Sequence, residues 1–190
     1  MKDASSSRDR STRRAETAAA HKTLWLLRHA KAVPGNGLDD SDRPLDERGR
    51  DAAKRMGRYL AKRGVRPELV LCSPSVRTRE TLELVCAALG GALEALYEDA
   101  LYLAGEDALL ERLEELSDDV ASVMLVGHNP GVAELALLLA RRGDPDALAA
   151  LSRKYPTGAL AELRVGAPRW RGLGRGCELV SFVTPKRLDT

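Results

Sequence analysis

The chain has 190 residues, of which 44% are apolar and 31% charged, and its formal net charge is +2 at pH 7. This length favours one domain with a sizeable core and is short for two. No segment approaches the roughly 18 to 20 consecutive apolar residues that a membrane-spanning helix needs, so we expect no membrane partner.

The basic charge is concentrated in the N-terminal segment. Residues 1–22 contain six lysines or arginines against three acids, a balance of +3, which leaves −1 for the rest of the chain. The segment is rich in Ser, Arg and Ala and has no apolar stretch, which predicts a disordered tail ahead of one domain over residues 23–190. It lacks the hydrophobic region of a secretory signal; a transit peptide is the alternative, although such peptides are poor in acids. Its few arginines are interspersed with acids, so we expect no nucleic-acid partner.

The first predicted strand, 23–28, ends in residues that can take part in chemistry. The apolar run Leu24-Trp25-Leu26-Leu27 delivers Arg28 and His29 to the carboxyl end of the strand. In open α/β sheets, side chains at this end leave the core and meet solvent in a crevice. Lys31 follows closely and is a candidate for the rim of such a site, although an ordinary solvated charge is an equal alternative.

A loop and a helix come next. Arg43 precedes Pro44, which constrains the loop, and it is a second candidate for the rim, with the same alternative. Asp46 can cap a helix over 46–63, because apolar residues recur there at i, i+4 and i+8 and Gly64 follows the end. We expect one face of this helix to pack on the sheet.

The second predicted strand, 68–72, leads to a helix that places an arginine on its first turn. Ser73 can act as the N-cap and Pro74 suits the first position of this helix, predicted over 75–89. Arg77 then lies where free N–H groups and the helix dipole favour an anion.

A second histidine also ends a strand. After a short strand over 93–97 and a helix over 106–116, the strand 121–127 runs into His128 and Asn129. Asn129 precedes a proline, which repeats the helix-start pattern for a helix over 130–141. We expect Asn129 to act first as a helix cap and secondarily as a ligand contact.

The remaining elements complete an alternating pattern. A short helix over 146–152 has Asp144 as its cap, and the strands 159–165 and 177–183 are joined by a Gly- and Arg-rich hairpin loop. Alternation of apolar runs with helical patterns predicts an α/β fold.

The cysteines and histidines give no sign of a metal or disulfide framework. Cys72, Cys86 and Cys177 are odd in number and lack C-x-x-C spacing, which predicts core thiols in a reducing compartment and hence a cytoplasmic protein. No H-x-H or H-E-x-x-H pattern accompanies the histidines, so we expect neither a metal nor another cofactor.

The strand ends and helix starts are predicted to form a phosphate pocket. Arg28 and Arg77 would converge on His29 and His128, with two helix N-termini facing the same point. A neutral His29 could attack phosphorus, and the arginines would keep it neutral while binding phosphoryl oxygens. His128 would donate a hydrogen bond to the phosphoryl group or move a proton.

Three motifs resemble the signatures of the histidine phosphatase superfamily, which is related to phosphoglycerate mutases. They are Arg28-His29-Ala30, where Ala30 replaces the usual Gly, Ser73-Pro74-x-x-Arg77, and Gly127-His128. The segment 42–49 also resembles a family motif, with Asp46 in place of Thr. The chain is most similar to the short phosphohistidine phosphatase branch, called SixA-like. This resemblance implies a three-layer α/β/α sandwich around a mostly parallel central sheet.

The resemblance also implies an activity. The expected enzyme is a metal-independent phosphatase with a phosphohistidine intermediate on His29, acting on phosphohistidine in a protein. The expected catalytic residues are His29, Arg28, Arg77 and His128. The expected substrate-binding residues are Arg28, Arg77, His128, Lys31, Arg43 and Asn129.

Two alternatives differ in substrate or class. A phosphomonoesterase acting on a small phosphorylated metabolite would need a general acid, and Glu98 or Asp99 are the candidates in the segment where the family places one. A non-catalytic module that reads phosphorylated partners is the other alternative, although a pure binder has no need of a nucleophile such as His29.

Overall fold

The structure, a computed structural model, describes residues 21–188, in which short strands alternate with helices. The strands are β1 Lys22–Arg28, β2 Leu69–Cys72, β3 Ala95–Tyr97, β4 Ser122–Gly127, β5 Ala140–Gly143, β6 Leu160–Val165 and β7 Cys177–Val183. The α-helices are α1 Glu47–Lys62, α2 Val76–Leu89, α3 Glu106–Glu114, α4 Gly131–Leu139 and α5 Pro145–Arg153. Short 3₁₀ turns cover Asp40–Asp42, Asp99–Leu101, Leu173–Arg175 and Pro185–Leu188. A tail is predicted over residues 1–22, and residues 1–20 of it lie outside the described residues.

The strands form one mixed sheet in the order β3-β2-β4-β1-β6-β7-β5. Neighbours from β3 to β1 pair in parallel, and so do β5 and β7. Within residues 21–188, β6 is the one strand that runs against the others. The central strands are continuous apolar runs, typical of parallel strands covered on both faces. The prediction of a mostly parallel central sheet is confirmed.

Alternate residues of β1 face two different cores. Leu24 and Leu26 belong to the cluster that α3, α4 and α5 cover. Trp25 and Leu27 belong to the cluster that α1 and α2 cover. Because successive side chains of a strand point to opposite faces, this division places helices on both sides of the sheet. The predicted three-layer α/β/α sandwich is confirmed.

The edge strand β5 contradicts the sequence-based prediction, which continued a helix to residue 141. Helix α4 ends at Leu139, and residues 140–143 pair in parallel with β7. The strand has Arg141 and Arg142 at its centre and no apolar alternation, because an edge strand with one partner has little surface to bury. The helix predicted over 106–116 is also shorter and ends at Glu114.

Strand β1 begins one residue earlier than predicted. The prediction places Lys22 in the tail, yet this residue is only 3% exposed. Its Nζ donates to the carbonyl oxygens of Asp118 and Val120 at 2.7 and 2.8 Å. The ammonium group of Lys22 therefore binds the loop ahead of β4 to the start of β1.

The caps of the helices agree with prediction in two cases out of four; the third and fourth, Ser73 and Asn129, do not. Asp46 accepts from the Gly49 N–H at 2.7 Å and caps α1, and Asp144 accepts from the Ala147 N–H at 2.9 Å and caps α5. In α2, however, the N-cap position is held by Ser75, whose side chain makes no capping bond. The predicted capping role of Ser73 was wrong, and its hydroxyl is used in the site described below.

The close contact between α1 and the chain after His29 can be tested with Gly49. A Cβ at this position would lie 2.0 Å from the Lys31 carbonyl oxygen. Helix propensity alone would make Gly49→Ala stabilising by about 0.5–1 kcal/mol. We expect the opposite, a loss of about 1–3 kcal/mol in the free energy of unfolding measured in urea, because backbone must move.

Gly35→Ala is the matched control. A Cβ there would meet only Arg43 Cδ, at 4.0 Å. Its effect should stay within about 0.5 kcal/mol. Equal effects of the two substitutions would contradict the packing described for Gly49.

Candidate active site

The sheet brings the two strand-end histidines together. In the register of β1 and β4, Arg28 lies opposite Gly127, and the His29 N–H donates to the Gly127 carbonyl at 3.0 Å. The next residue along β4 is His128, and the centroids of the two imidazole rings are 5.2 Å apart. The predicted convergence of the histidines at the carboxyl ends of the strands is therefore present.

The tautomer of His29 follows from its hydrogen bond. Its Nδ1 lies 2.7 Å from the Ala30 carbonyl oxygen, which can only accept, so Nδ1 carries the proton and Nε2 carries a lone pair. Burial is the main reason that the pKa of His29 falls from 6.5 to about 4, and the charges of Arg77 and Arg28 lower it further. At neutral pH this ring is an uncharged base.

Backbone contacts hold the residues around His29 in place. The Ala30 N–H donates to Thr81 Oγ1 at 3.0 Å, and the same hydroxyl donates to the Arg77 carbonyl at 2.6 Å. From the other side, the Gly158 N–H donates to the His29 carbonyl at 3.0 Å. Thr81 thus links the nucleophile candidate to the first turns of α2.

His128 has the opposite tautomer. Arg77 Nη2 donates to its Nδ1 at 3.3 Å, so Nε2 carries the proton and donates to Ser73 Oγ at 2.7 Å. Burial, and then the neighbouring His29 and Arg77, lower the pKa of His128 to about 3. Both rings are therefore neutral, and Ser73 fixes the orientation of the second one.

Arg77 is buried and meets a carboxylate that was missing from the predicted site. Its Nη2 donates to Asp40 Oδ2 at 2.8 Å, and its Nη1 donates to the Asp40 carbonyl. The Tyr102 hydroxyl donates to Asp40 Oδ2 at 2.6 Å, and Arg43 Nη1 donates to Oδ1 at 2.8 Å. Hydrogen bonds from Tyr102, Arg43 and Arg77 hold the pKa of Asp40 well below its usual range.

Arg28 and Asn129 share one backbone acceptor and leave polar atoms open. Arg28 Nη1 and Asn129 Nδ2 donate to the Tyr155 carbonyl at 2.9 and 3.0 Å. Arg28 Nε and Asn129 Oδ1 are buried and have no hydrogen-bond partner in the described part of the chain. Asn129 is not a helix cap, because Pro130 takes that position in α4. Unpartnered buried polar atoms are uncommon, and here they lie next to the histidines.

The two rim candidates differ in their placement. Arg43 lies close enough for its charge to lower the pKa of His29 while its side chain is bonded to Asp40. Lys31 is about half exposed and pairs with Asp46 at 3.1 Å. It lines a cavity of about 340 Å³ together with Thr157 and the 184–186 segment. Thus Arg43 is in the cluster, whereas Lys31 points to a neighbouring cavity.

The acids expected from the sequence are placed differently from Asp40. Glu98 accepts two hydrogen bonds from Arg112, at 2.7 and 2.8 Å, and is neutralised there. Asp99 lines a cavity of about 300 Å³ beside Tyr102. Sequence reasoning missed Asp40, Tyr102 and Ser73 as parts of the site; the acidic stretch ahead of Arg43 was the available signal for the first.

Thiol and metal chemistry find no support in the described residues. Burial raises the pKa of Cys72 to about 12 and that of Cys177 to about 11, and Cys86 is also a free thiol. Residues 21–188 contain no group of three or more His, Cys, Asp or Glu side chains placed to hold a metal ion. The same range has no helix long and apolar enough to cross a membrane.

Comparison with known proteins points to one family. A family model described as "Histidine phosphatase superfamily (branch 1)" matches residues 24–102. The phosphohistidine phosphatase SixA of Escherichia coli is 35% identical over 116 residues, which cover 59% of this chain and 70% of SixA.

Solved structures extend the match over most of the chain. One from Nakamurella multipartitia, provisionally assigned as the phosphohistidine phosphatase SixA, has a TM-score of 0.74 and 34% identity, covering 87% of this chain and 96% of the other. A protein histidine phosphatase SixA complexed with tungstate has a TM-score of 0.72 and 26% identity, covering 87% and 99%.

The charge state and tautomer of His29 can be measured directly. We expect side-chain ¹⁵N NMR of labelled histidine to show His29 neutral from pH 5 to 8, protonated on Nδ1, with a titration midpoint near 4. His128 should be protonated on Nε2 and titrate near 3. His29→Asn and His128→Asn assign the two signals. A midpoint for His29 near the ordinary 6.5 would contradict this description of the site.

Proposed function

Since the chain belongs to the histidine phosphatase superfamily, and is on that ground a phosphatase, we propose that it removes phosphate from phosphohistidine in a protein through a phosphohistidine intermediate on His29. The phosphohistidine phosphatase activity for which the SixA relatives are named supports this choice of substrate. The proposal includes a cytoplasmic location, which the three free thiols favour.

The observation that carries the proposal is the bond between His29 Nδ1 and the Ala30 carbonyl. It places the proton on Nδ1 and leaves the Nε2 lone pair for attack on phosphorus. The pKa of about 4 keeps this lone pair available at neutral pH, so no separate base has to remove a proton first.

Arg28 and Arg77 bind and neutralise the phosphoryl oxygens in this proposal. Arg77 donates to Asp40 twice and to His128, and none of these three bonds uses its Nε–H, which remains for an oxyanion among the described residues. The unpartnered Arg28 Nε–H is a further donor. Donors fixed before the substrate arrives need little rearrangement as charge develops on the phosphoryl group.

His128 is proposed to act on the same oxyanion. Its Nδ1 faces Arg77, so a phosphoryl oxygen that enters between them competes with that hydrogen bond. A phosphoryl group that enters as its monoanion carries one P–OH, and this hydroxyl can donate its proton in a hydrogen bond to the Nδ1 lone pair. Tungstate is a tetrahedral oxyanion, and its binding to a SixA relative supports an oxyanion site of this kind.

The leaving group favours phosphohistidine over an alkyl ester. An alkoxide leaves poorly unless an acid protonates it, and Glu98, a candidate for that acid, is bound to Arg112. An imidazole leaves from a P–N bond with less help. The arrangement therefore supports P–N hydrolysis more than hydrolysis of alkyl phosphates.

The first test traps the intermediate. Brief incubation with ³²P-labelled phosphohistidine peptide and an alkaline quench should leave label on His29, stable in alkali and lost in acid, as a P–N bond is. Excess chelator should not change the labelling. His29→Ala should lose label and turnover but still bind tungstate, because Arg28 and Arg77 remain. Label on Cys72 or on a serine would contradict the mechanism.

The second test compares leaving groups. The value of kcat/KM should be high for a phosphohistidine peptide and low for alkyl phosphates, since general-acid help is typically worth about 10² to 10⁴ in rate. The double variant Glu98→Gln, Asp99→Asn should leave phosphohistidine turnover nearly unchanged. Efficient hydrolysis of alkyl phosphates that this double variant abolishes would instead identify a phosphomonoesterase acting on small metabolites.

A further inference from the structure

Asp40 provides a carboxylate at the mouth of the site. It lies on a 3₁₀ turn between β1 and α1, and its side chain is 47% exposed, whereas that of Arg77 beneath it is 4% exposed. Tyr102 ties it to the segment after β3, in which Glu98 is turned to Arg112. The carboxylate beside the catalytic cluster therefore comes from a different loop than the one expected to supply an acid.

The hydrogen bonds of Asp40 leave one acceptor position open. A carboxylate has about four lone-pair positions. Oδ2 accepts from Arg77 and Tyr102, and Oδ1 accepts from Arg43. No other side chain of residues 21–188 donates to Oδ1, so one of its positions stays available, and the half-exposed side chain makes it accessible to a group entering from solvent.

We propose that Asp40 accepts a hydrogen bond from the ring N–H of the substrate's phosphohistidine and so selects the form of the ring that is protonated on its far nitrogen and leaves as neutral imidazole. This inference rests on the proposed function and deepens it, because it assigns a residue to the choice between P–N and P–O substrates. Phosphohistidine carries phosphorus on one ring nitrogen, and the other nitrogen can hold a proton. A carboxylate facing that proton favours the charged form of the ring.

The transfer step balances with this arrangement. The His29 Nε2 lone pair forms a bond to phosphorus, and the bond between phosphorus and the substrate nitrogen breaks. The electron pair of the broken bond goes to the substrate nitrogen, and the ring leaves as neutral imidazole because its far nitrogen keeps the proton that faces Asp40. Water then attacks phospho-His29, which releases inorganic phosphate and restores neutral His29.

Asp40 is suited to accept a hydrogen bond from the substrate ring rather than to donate a proton to it. Arg77 on α2, Arg43 on its own loop and Tyr102 after β3 all donate to it, and His128 after β4 lies close enough to feel its charge. These donors keep it ionised at neutral pH. An alkyl or aryl phosphate offers no ring N–H at this point, so Asp40 gives such substrates no corresponding help.

The inference is tested with Asp40→Asn, on a phosphohistidine peptide and on an activated aryl phosphate. At pH 8 we expect kcat/KM for the peptide to fall about tenfold or more beyond any fall for the aryl phosphate, as for loss of a charge-assisted hydrogen bond. A fall common to both substrates reports the contact of Asp40 with Arg77. Near pH 5 the difference should shrink, because an imidazole of ordinary pKa, about 6.5, is then protonated without help. His29 stays neutral at that pH, so the comparison reports on the substrate ring.

Asp39→Asn is the matched control, since it removes the same charge from the neighbouring residue, which makes no side-chain capping bond. Asp40→Glu should recover part of the peptide activity, and circular dichroism with tungstate binding checks that each variant is folded.

The possible outcomes separate the inference from the proposed function. An equal loss on both substrates would reduce Asp40 to a positioning residue for Arg77 and overturn the inference. The same holds for an unchanged peptide activity or for a loss that does not depend on pH. A wild-type enzyme that turns over aryl phosphate but not the peptide would overturn the proposed function and the inference with it.

Discussion

The parallel pairing of β1 with β4 is the constraint on which the site depends. It sets Arg28 opposite Gly127 and lets the His29 N–H bond to the Gly127 carbonyl, so the chain emerges from the two strands with both histidines side by side. A slip of one residue in either strand would turn one imidazole to the other face of the sheet. The buried apolar runs of both strands hold this register, so the core that stabilises the fold also sets the 5.2 Å spacing of the rings.

Hydrogen bonds around this pair give the two imidazoles of His29 and His128 different tautomers and therefore different roles. His29 gives its Nδ1 proton to the Ala30 carbonyl and keeps Nε2 free, whereas His128 gives its Nε2 proton to Ser73 and turns Nδ1 to Arg77. The environment, rather than the residue type, therefore assigns one ring as nucleophile and the other as hydrogen-bonding partner in the proposed mechanism. The same principle applies to the acids, because Arg112 binds Glu98 while Asp40 faces the cluster.

The sequence was sufficient for the features that follow from local patterns. Apolar runs ending in Arg28, His29 and His128 predicted the central strands, and Asp46 and Asp144 predicted two helix starts that the structure confirms. The sequence was insufficient where tertiary contacts determine the local structure or the partner of a side chain. Strand β5 has no strand pattern and exists because β7 offers it a free edge. Ser73 has the pattern of a helix cap, yet its hydroxyl bonds to His128, 55 residues away. Asp40 lies in a loop that passes over Arg77, and no periodicity in the sequence predicts the path of this loop.

The neutrality of both imidazoles has a consequence for how a substrate arrives. With uncharged histidines, the four charged side chains of Arg28, Arg43, Arg77 and Asp40 sum to +2, whereas residues 23–190 as a whole carry −1. Such a local potential draws in anions and accelerates their diffusional encounter. Added salt screens that attraction beyond about 10 Å at 0.1 M, so a higher ionic strength would slow capture of the phosphorylated substrate, whereas the chemical step within the buried cluster would change little.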